Sequence, residues 1–206
     1  MEWGFFFIKA FTMELHNETV AGLFDALGIE PAHTSISLQK LSAADSRFLK
    51  DLKLNVATVL GSSNMNRKEA CLLALSVAVN EKHEVLINAF EQLAVKEGAT
   101  VVEIAEVHTC TALMNTNNVF YRFRHYMDSV DYYNNTPAGL RMSSMMNPIL
   151  GKELFELMSL VISALNGCER CVTSHEHSVK QHGASEPRIY DAIRLGAVIK
   201  SLCVVI

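Results

Sequence analysis

Residues 151–185, with the sequence GKELFELMSLVISALNGCERCVTSHEHSVKQHGAS, determine how the chain folds. An almost entirely apolar segment over 154–165 meets Asn166-Gly167, a pair that ends helices, and a second segment with helical spacing then runs to Gly183. Apolar residues recur at this spacing through most of the chain, whereas the alternation typical of β-strands is nearly absent. The sequence therefore predicts an all-α fold, a single compact helical domain.

The helical spacing divides the chain into separate segments. They cover about 14–28, 42–60, 67–79, 82–97, 101–114, 117–127, 151–165, 168–182 and 186–203. Between about 128 and 150 the spacing fails, and turn-forming Asn, Pro and Gly residues indicate an irregular connection. We therefore expect two groups of helices joined by one long irregular segment.

The two groups follow a similar order of helices and glycine stops, which predicts an internal duplication. On this interpretation the helical domain over 14–206 has a first half over about 14–127 and a second half over about 150–206. The first half has Lys82 and Val85 where the second has a pair of cysteines separated by two residues. The first half is then a scaffold, and any cysteine chemistry belongs to the second.

Bulk composition excludes several classes of protein. The chain has 206 residues, 50% of them hydrophobic and 19% charged, with a formal net charge of −4, so neither disorder nor nucleic-acid binding is expected. No apolar stretch reaches the roughly 18–20 residues that cross a bilayer, so no membrane partner is expected. Residues 1–13 are not expected to be a signal sequence, because their apolar run is short and an acid precedes it; they are predicted to be an N-terminal extension, since the amphipathic pattern begins only at residue 14.

The five cysteines do not form the pattern of a secreted disulfide framework. With no membrane-spanning stretch and no signal sequence expected either, a cytoplasmic location is expected by default. Three of the cysteines stand alone in apolar, helix-patterned surroundings, where a reduced thiol behaves as a small hydrophobic side chain: Cys71, Cys110 and Cys203.

The pair Cys168 and Cys171 is the strongest chemical signal in the sequence. Because Asn166-Gly167 ends the preceding helix, Cys168 is expected in the first turn of the next one, where free N–H groups and the helix dipole lower the pKa of a thiol. The spacing places both sulfurs on one face, close enough for a disulfide. His175 lies one turn further along that face, where it can accept a proton from a thiol. We therefore expect thiol redox chemistry in this half of the chain.

Glu156 is the second candidate. With Ser159 and Ser163 it forms a narrow polar stripe on an otherwise apolar helix, which either faces solvent or places a buried acid against the cysteine helix, where it orients His175. The cysteine pair also leaves two alternatives open, a structural pair and half of a zinc site completed by His175 or His177. Ligands crowded on one short helix are poorly placed around a tetrahedral ion, and no metal site is predicted.

A Glu twelve residues before a CxxC motif, with a His four residues after it, resembles the signature of the alkylhydroperoxidase D (AhpD) family in the carboxymuconolactone decarboxylase-like superfamily. The matching residues here are Glu156, Cys168, Cys171 and His175. The likeness covers most of the chain from about residue 40 onward and includes the segments 52–55, 117–122 and 140–142. Four residues at or just after the segment 117–122 could either line a pocket or form one face of an amphipathic helix, and the sequence does not distinguish these: Tyr121, Arg122, Arg124 and Tyr126.

The resemblance implies an antioxidant thiol-disulfide oxidoreductase, internally duplicated and commonly trimeric, that reduces alkyl hydroperoxides or regenerates a partner peroxiredoxin. Electrons would come from dihydrolipoamide on a lipoyl-carrying protein, with no tightly bound cofactor. By the same resemblance Cys171 attacks and becomes a sulfenic acid, Cys168 resolves it as a disulfide, and Glu156 and His175 move protons.

One residue departs from the family pattern. Arg170 stands between the cysteines where the family has a His, and arginine can stabilise a thiolate but cannot shuttle a proton. Two alternatives to the hydroperoxidase hypothesis remain, a non-redox activity of the superfamily and a zinc-stabilised interaction module.

Overall fold

The computed structural model describes residues 17–206, and over this range it contains α-helices, one 3₁₀ turn at Ser143–Met145 and no strand. The predicted all-α fold is confirmed. The helices are α1 Glu18–Leu27, α2 Ile36–Ala43, α3 Arg47–Leu60, α4 Arg67–Asn80, α5 Glu84–Lys96, α6 Val101–Tyr126, α7 Asp131–Asn135, α8 Lys152–Leu165, α9 Glu169–Gln181 and α10 Glu186–Val205.

Side chains at the helix ends explain several of these boundaries. Capping boxes start α4 and α6: the side chains of Asn66 and Thr100 accept from the backbone N–H groups of Glu69 and Glu103, and their own backbone N–H groups donate to the carboxylates of those glutamates. Ser185 caps α10 in the same way without the reciprocal bond. These polar caps fix where each helix begins, so that its apolar face meets the core in a defined register.

The central helices are α4 and α8. Every residue over 70–78 in α4 and over 154–163 in α8 is buried. α5 packs on α4, α9 packs on α8, and α6 and α10 contact both central helices. Gly196 of α10 allows the close approach to α8, because a Cβ there would lie 2.6 Å from Cγ1 of Val161.

The bounds of the helices repeat along the chain. α4, α5 and α6 begin at residues 67, 84 and 101, and α8, α9 and α10 begin at 152, 169 and 186, a constant separation of 85 residues. This separation places Cys168 opposite His83 and Cys171 opposite Leu86. The expected pairing with Lys82 and Val85 is therefore wrong by one residue, since it followed side-chain similarity instead of the helix bounds.

Three expectations about the helices are corrected. One continuous helix, α6, replaces the predicted segments 101–114 and 117–127, because the asparagines at their junction bond to neighbouring helices and do not end the helix. Two helices, α2 and α3, stand where one helix over 42–60 was expected. The sequence contained no signal for α2 because only its Leu38 is buried, which leaves a weak apolar pattern. The segment 128–150 contains α7 and the 3₁₀ turn.

The predicted extension over 1–13 and the first residues of the predicted helix over 14–28 lie outside the described residues. Within residues 17–206, no helix is both long enough and apolar enough to cross a membrane.

Candidate active site

The turn between α8 and α9 positions the cysteine pair. Gly167 has a φ of 68°, a left-handed conformation that glycine adopts without strain, and it turns the chain back so that Cys168 becomes the N-cap of α9. The N–H of Cys168 donates to the carbonyl of Ser163 at 3.1 Å. Cys168 and Cys171 are joined by a disulfide, with their Cα atoms 5.2 Å apart. The local fold therefore brings the two sulfurs together at the start of α9.

The two cysteines differ in their access to solvent. Cys168 is fully buried, whereas Cys171 keeps 6% of its surface exposed and lines a cleft of about 360 Å³. The other residues that line this cleft are Asn117, Tyr121, Met142, Met145, Arg170, Ser174 and His175. A small molecule that enters the cleft meets the sulfur of Cys171 and the imidazole of His175.

His175 is held by a buried carboxylate. Its Nδ1 lies 2.7 Å from Oε2 of Glu156, and the side chain of Glu156 is only 5% exposed. Lys152, one turn earlier on α8, places its Nζ 3.4 Å from Oε1 of the same carboxylate. This arrangement fixes the imidazole ring and directs its Nε2 away from Glu156.

Two opposing effects set the pKa of Glu156. Burial alone would raise it, but the hydrogen bond and charge of His175 and the charge of Lys152 more than offset burial, so the pKa is lowered. Glu156 is therefore a carboxylate at neutral pH.

The polar stripe on α8 is buried and does not face solvent. Only Glu156 of the three faces α9, whereas Ser159 lies 3.5 Å from Sγ of Cys110 and Ser163 accepts from Nδ2 of Asn118 at 2.9 Å. The polar stripe of α8 therefore contacts two helices: Glu156 faces α9, and the hydroxyls of Ser159 and Ser163 face α6.

A loop over 142–150 closes one side of the cleft. Glu106, buried on α6, accepts from the backbone N–H groups of Ile149 and Leu150 at 2.7 and 2.6 Å, and Nζ of Lys152 donates to the carbonyl of Met145. These bonds anchor the loop, of which Met142 and Met145 line the cleft together with Cys171, whereas Met146 is exposed.

The remaining cysteines are free thiols. Burial raises the pKa of Cys110 to about 12, and burial followed by the charge of Glu81 raises that of Cys203 to about 12. The pKa of Cys71 is also raised, chiefly by burial. Cys71 and Cys110 are buried as predicted, whereas Cys203 is partly exposed. At neutral pH all three are protonated and weakly nucleophilic.

Between residues 17 and 206, no group of three or more His, Cys, Asp or Glu side chains has the arrangement of a metal site.

Comparisons with known proteins place this arrangement in a family. Residues 133–203 match the model of the carboxymuconolactone decarboxylase family. Proteins named alkyl hydroperoxide reductase AhpD are similar over much more of the chain. The protein from Rhizorhabdus wittichii is 36% identical over 171 residues, which are 82% of this chain and 97% of the relative. The protein from Streptomyces griseus is 34% identical over 167 residues, with coverages of 81% and 93%. The chain belongs to the AhpD family.

Within this AhpD-family chain, the structure brings all four sequence-predicted site residues together: Glu156, Cys168, Cys171 and His175. Tyr121 lines the cleft, whereas Arg122 donates to the carbonyl of Asn166 and Tyr126 is exposed. Arg124 stacks over Phe120 with its guanidinium 4.9 Å from the ring centre.

Sequence reasoning missed Lys152, Asn117 and the two methionines of the cleft. Lys152 had a usable signal, since it stands four residues before Glu156 on one helix. Asn117 and Met142 stand in the family-like segments 117–122 and 140–142, but nothing in their spacing indicated that they reach the cleft, and Met145 had no signal.

Proposed function

We propose that this chain reduces alkyl hydroperoxides with electrons from the dithiol of Cys168 and Cys171. The single observation that carries the proposal is that Cys171 opens onto the cleft beside His175 and has Cys168 within disulfide distance behind it. The names of the AhpD relatives support the same activity. In this proposal the protein is an antioxidant thiol-disulfide oxidoreductase.

Cys171 is the attacking thiol in this mechanism, because it is the cysteine that a substrate in the cleft can reach. Its thiolate attacks the terminal oxygen of the hydroperoxide, the O–O bond breaks, and the sulfur becomes a sulfenic acid while an alcohol leaves. Cys168 then attacks the sulfur of Cys171, water leaves, and the disulfide forms. The two thiols are oxidised by two electrons and the peroxide bond is reduced by two.

Proton movement is assigned to His175 and Glu156. With Nδ1 bound to the carboxylate, Nε2 is the nitrogen available to the cleft, where it takes the thiol proton of Cys171 and returns it to the leaving alkoxide. The charge of Glu156 stabilises the imidazolium that forms in between. Arg170, which also lines the cleft, contributes charge to this site and no proton.

The reductant in this proposal is dihydrolipoamide carried on a lipoyl protein, with no tightly bound cofactor. Thiol-disulfide exchange at Cys171 reopens the disulfide and returns both thiols. The same exchange would reduce the disulfide of a peroxiredoxin partner. The free thiols Cys71 and Cys110 support a reducing compartment, and we propose the cytoplasm.

A homo-oligomer, with a trimer as the first candidate, is also proposed. Val119, Phe123 and Tyr126 are exposed at helical spacing on α6. Such a stripe is typical of a helix face that another subunit covers.

The experiment that tests the proposed function measures the consumption of cumene hydroperoxide with dihydrolipoamide as reductant. Wild-type protein should turn over, Cys171→Ser should abolish turnover, and Cys203→Ser should leave it unchanged as the matched control. Activity that survives the loss of both Cys168 and Cys171 would contradict the proposal and favour a non-redox activity of the superfamily. One zinc per chain that is lost with Cys168→Ala would favour the zinc module.

A further inference from the structure

Two neighbouring asparagines on α6 are both buried, yet they are bonded differently. Asn118 has both ends of its amide satisfied, because Nδ2 donates to Oγ of Ser163 and Oδ1 accepts from Nδ2 of Asn166, each at 2.9 Å. Asn117 has only one contact, from Nδ2 to the sulfur of Met142 at 3.3 Å. Its Oδ1 is buried and has no hydrogen-bond partner among residues 17–206.

An unpartnered amide oxygen is unusual in a protein interior, because nearly all buried polar groups are hydrogen-bonded. The sulfur that Nδ2 contacts is also a weak acceptor. Folding therefore gains little from the amide of Asn117, whereas it gains two good bonds from Asn118. The side chain that folding leaves unused, that of Asn117, lines the cleft together with Cys171 and His175.

The carboxamide matches the chemistry of a hydroperoxide group. A hydroperoxide carries one O–H donor on its terminal oxygen and an acceptor on its inner oxygen, and a carboxamide offers one acceptor and a donor on adjacent atoms. Both bonds would be stronger than the contact with the thioether of Met142. That contact can be exchanged easily when a substrate enters.

We propose that Asn117 binds the hydroperoxide group of the substrate, an inference that rests on the proposed function. Once the amide turns away from the sulfur of Met142 toward the cleft, Oδ1 accepts from the terminal O–H, and Nδ2 donates to the inner oxygen. This orientation presents the terminal oxygen to the sulfur of Cys171.

The same two bonds act during the reaction. When the thiolate of Cys171 bonds to the terminal oxygen, the O–O bond breaks and the inner oxygen leaves as an alkoxide that receives its proton from His175. Nδ2 of Asn117 faces the oxygen on which negative charge develops, and a fixed donor at that position lowers the barrier. The sulfur loses two electrons and the peroxide bond gains them, as in the proposed mechanism.

Asn117→Leu tests the inference in a single turnover with pre-reduced protein and cumene hydroperoxide. We expect the second-order rate constant for oxidation of Cys171 to fall about tenfold or more, since two hydrogen bonds to the substrate are lost. Reduction of the Cys168–Cys171 disulfide by dihydrolipoamide should be unchanged, because no peroxide takes part. The Tm should not fall, because the substitution removes no well-satisfied bond.

Asn115→Leu is the matched control, since Asn115 is exposed on the same helix and does not line the cleft. It should react with the peroxide at the wild-type rate. Asn117→Ala provides a second variant that cannot crowd Met142, and the same tenfold loss is expected from it.

Wild-type rates in both Asn117 variants would overturn the inference while leaving the proposed function intact. Equal slowing of the peroxide and dihydrolipoamide steps, together with a lower Tm, would also overturn it, because that result describes a structural role. A wild-type protein that does not react with the peroxide would overturn the proposed function and the inference with it.

Discussion

The turn between α4 and α5 and the turn between α8 and α9 have the same backbone but carry different chemistry. His83 caps α5 with φ −97° and ψ 89°, and Cys168 caps α9 with φ −99° and ψ 89°. His83 uses its imidazole to accept the backbone N–H of Leu86 at 3.3 Å. Cys168 instead bonds covalently to Cys171, which stands at the position of Leu86.

The same correspondence extends to the rest of the site. At the separation of 85 residues, Glu156 stands where the first half has the buried Cys71, and His175 stands where it has the buried Phe90. The first half fills these positions with apolar groups that pack, and the second half fills them with groups that ionise. The two halves therefore share the arrangement of their helices, and they differ in chemistry because of a few side chains at corresponding positions.

His175→Phe gives the second half the same residue type that the first half has at this position, Phe90. Of the substitutions considered, it should have the largest effect on hydroperoxide turnover. Loss of the imidazole removes the group that moves protons at Cys171, and such groups contribute about 10²–10⁴-fold to a rate. We expect hydroperoxide turnover to fall by at least about 10²-fold, measured as the initial rate with cumene hydroperoxide. His177→Phe, on the same helix and outside the cleft, is the control. Turnover within about twofold of wild type would remove His175 from the mechanism.

Glu156→Gln tests the carboxylate and carries a defined pH dependence. Its pKa is lowered in the folded protein, so its contribution to stability is present above the unfolded value of about 4.3 and is lost as the pH falls through the folded value. At pH 7 the variant should lose about 1.5–3 kcal/mol in the free energy of unfolding, the range for a hydrogen bond to a charged group. The difference between wild type and variant in urea unfolding should shrink as the pH falls below about 5. A difference that grows toward acid pH would contradict this account.

Substitutions at the left-handed residue of each turn, Lys82 and Gly167, should have the smallest effect. Lys82 and Gly167 both adopt a left-handed backbone, with φ of 57° and 68°. A side chain costs about 1 kcal/mol in this conformation, so Lys82→Gly should stabilise the protein and Gly167→Ala should destabilise it by about that amount, as measured by chemical denaturation. The space around a Cβ at Gly167 is open, which leaves backbone conformation as the cause. Shifts of the same sign in both variants would show that the turns are not equivalent.

The sequence predicted the fold class from helical spacing and the cysteine helix from short motifs, whereas it left open whether Glu156 faces solvent or the cysteine helix. The CxxC spacing and the Asn-Gly stop are local signals. Glu156 and His175 are 19 residues apart, on adjacent helices joined by this tight turn, and their contact is seen only in the structure.

The junction within α6 and the cleft wall could not be predicted because they depend on tertiary contacts. Asn115 and Asn118 look like helix breakers in isolation, yet they bond to Asn80 and to α8. Met142 lines the cleft with Cys171 from a loop that lies far from the cysteines in sequence and is anchored by Glu106. The spacing of residues along the sequence does not indicate contacts between segments that are far apart in the chain.

The most direct test of the central claim is peptide mass spectrometry with thiol titration before and after one equivalent of cumene hydroperoxide is added to the reduced protein. We expect the loss of two thiols, both in the peptide that contains Cys168 and Cys171, with Cys71, Cys110 and Cys203 still reduced. Dihydrolipoamide should restore both thiols. Oxidation spread over the other three cysteines, or a Cys168–Cys171 peptide that stays reduced, would contradict the claim that one half of this helical frame carries the redox chemistry.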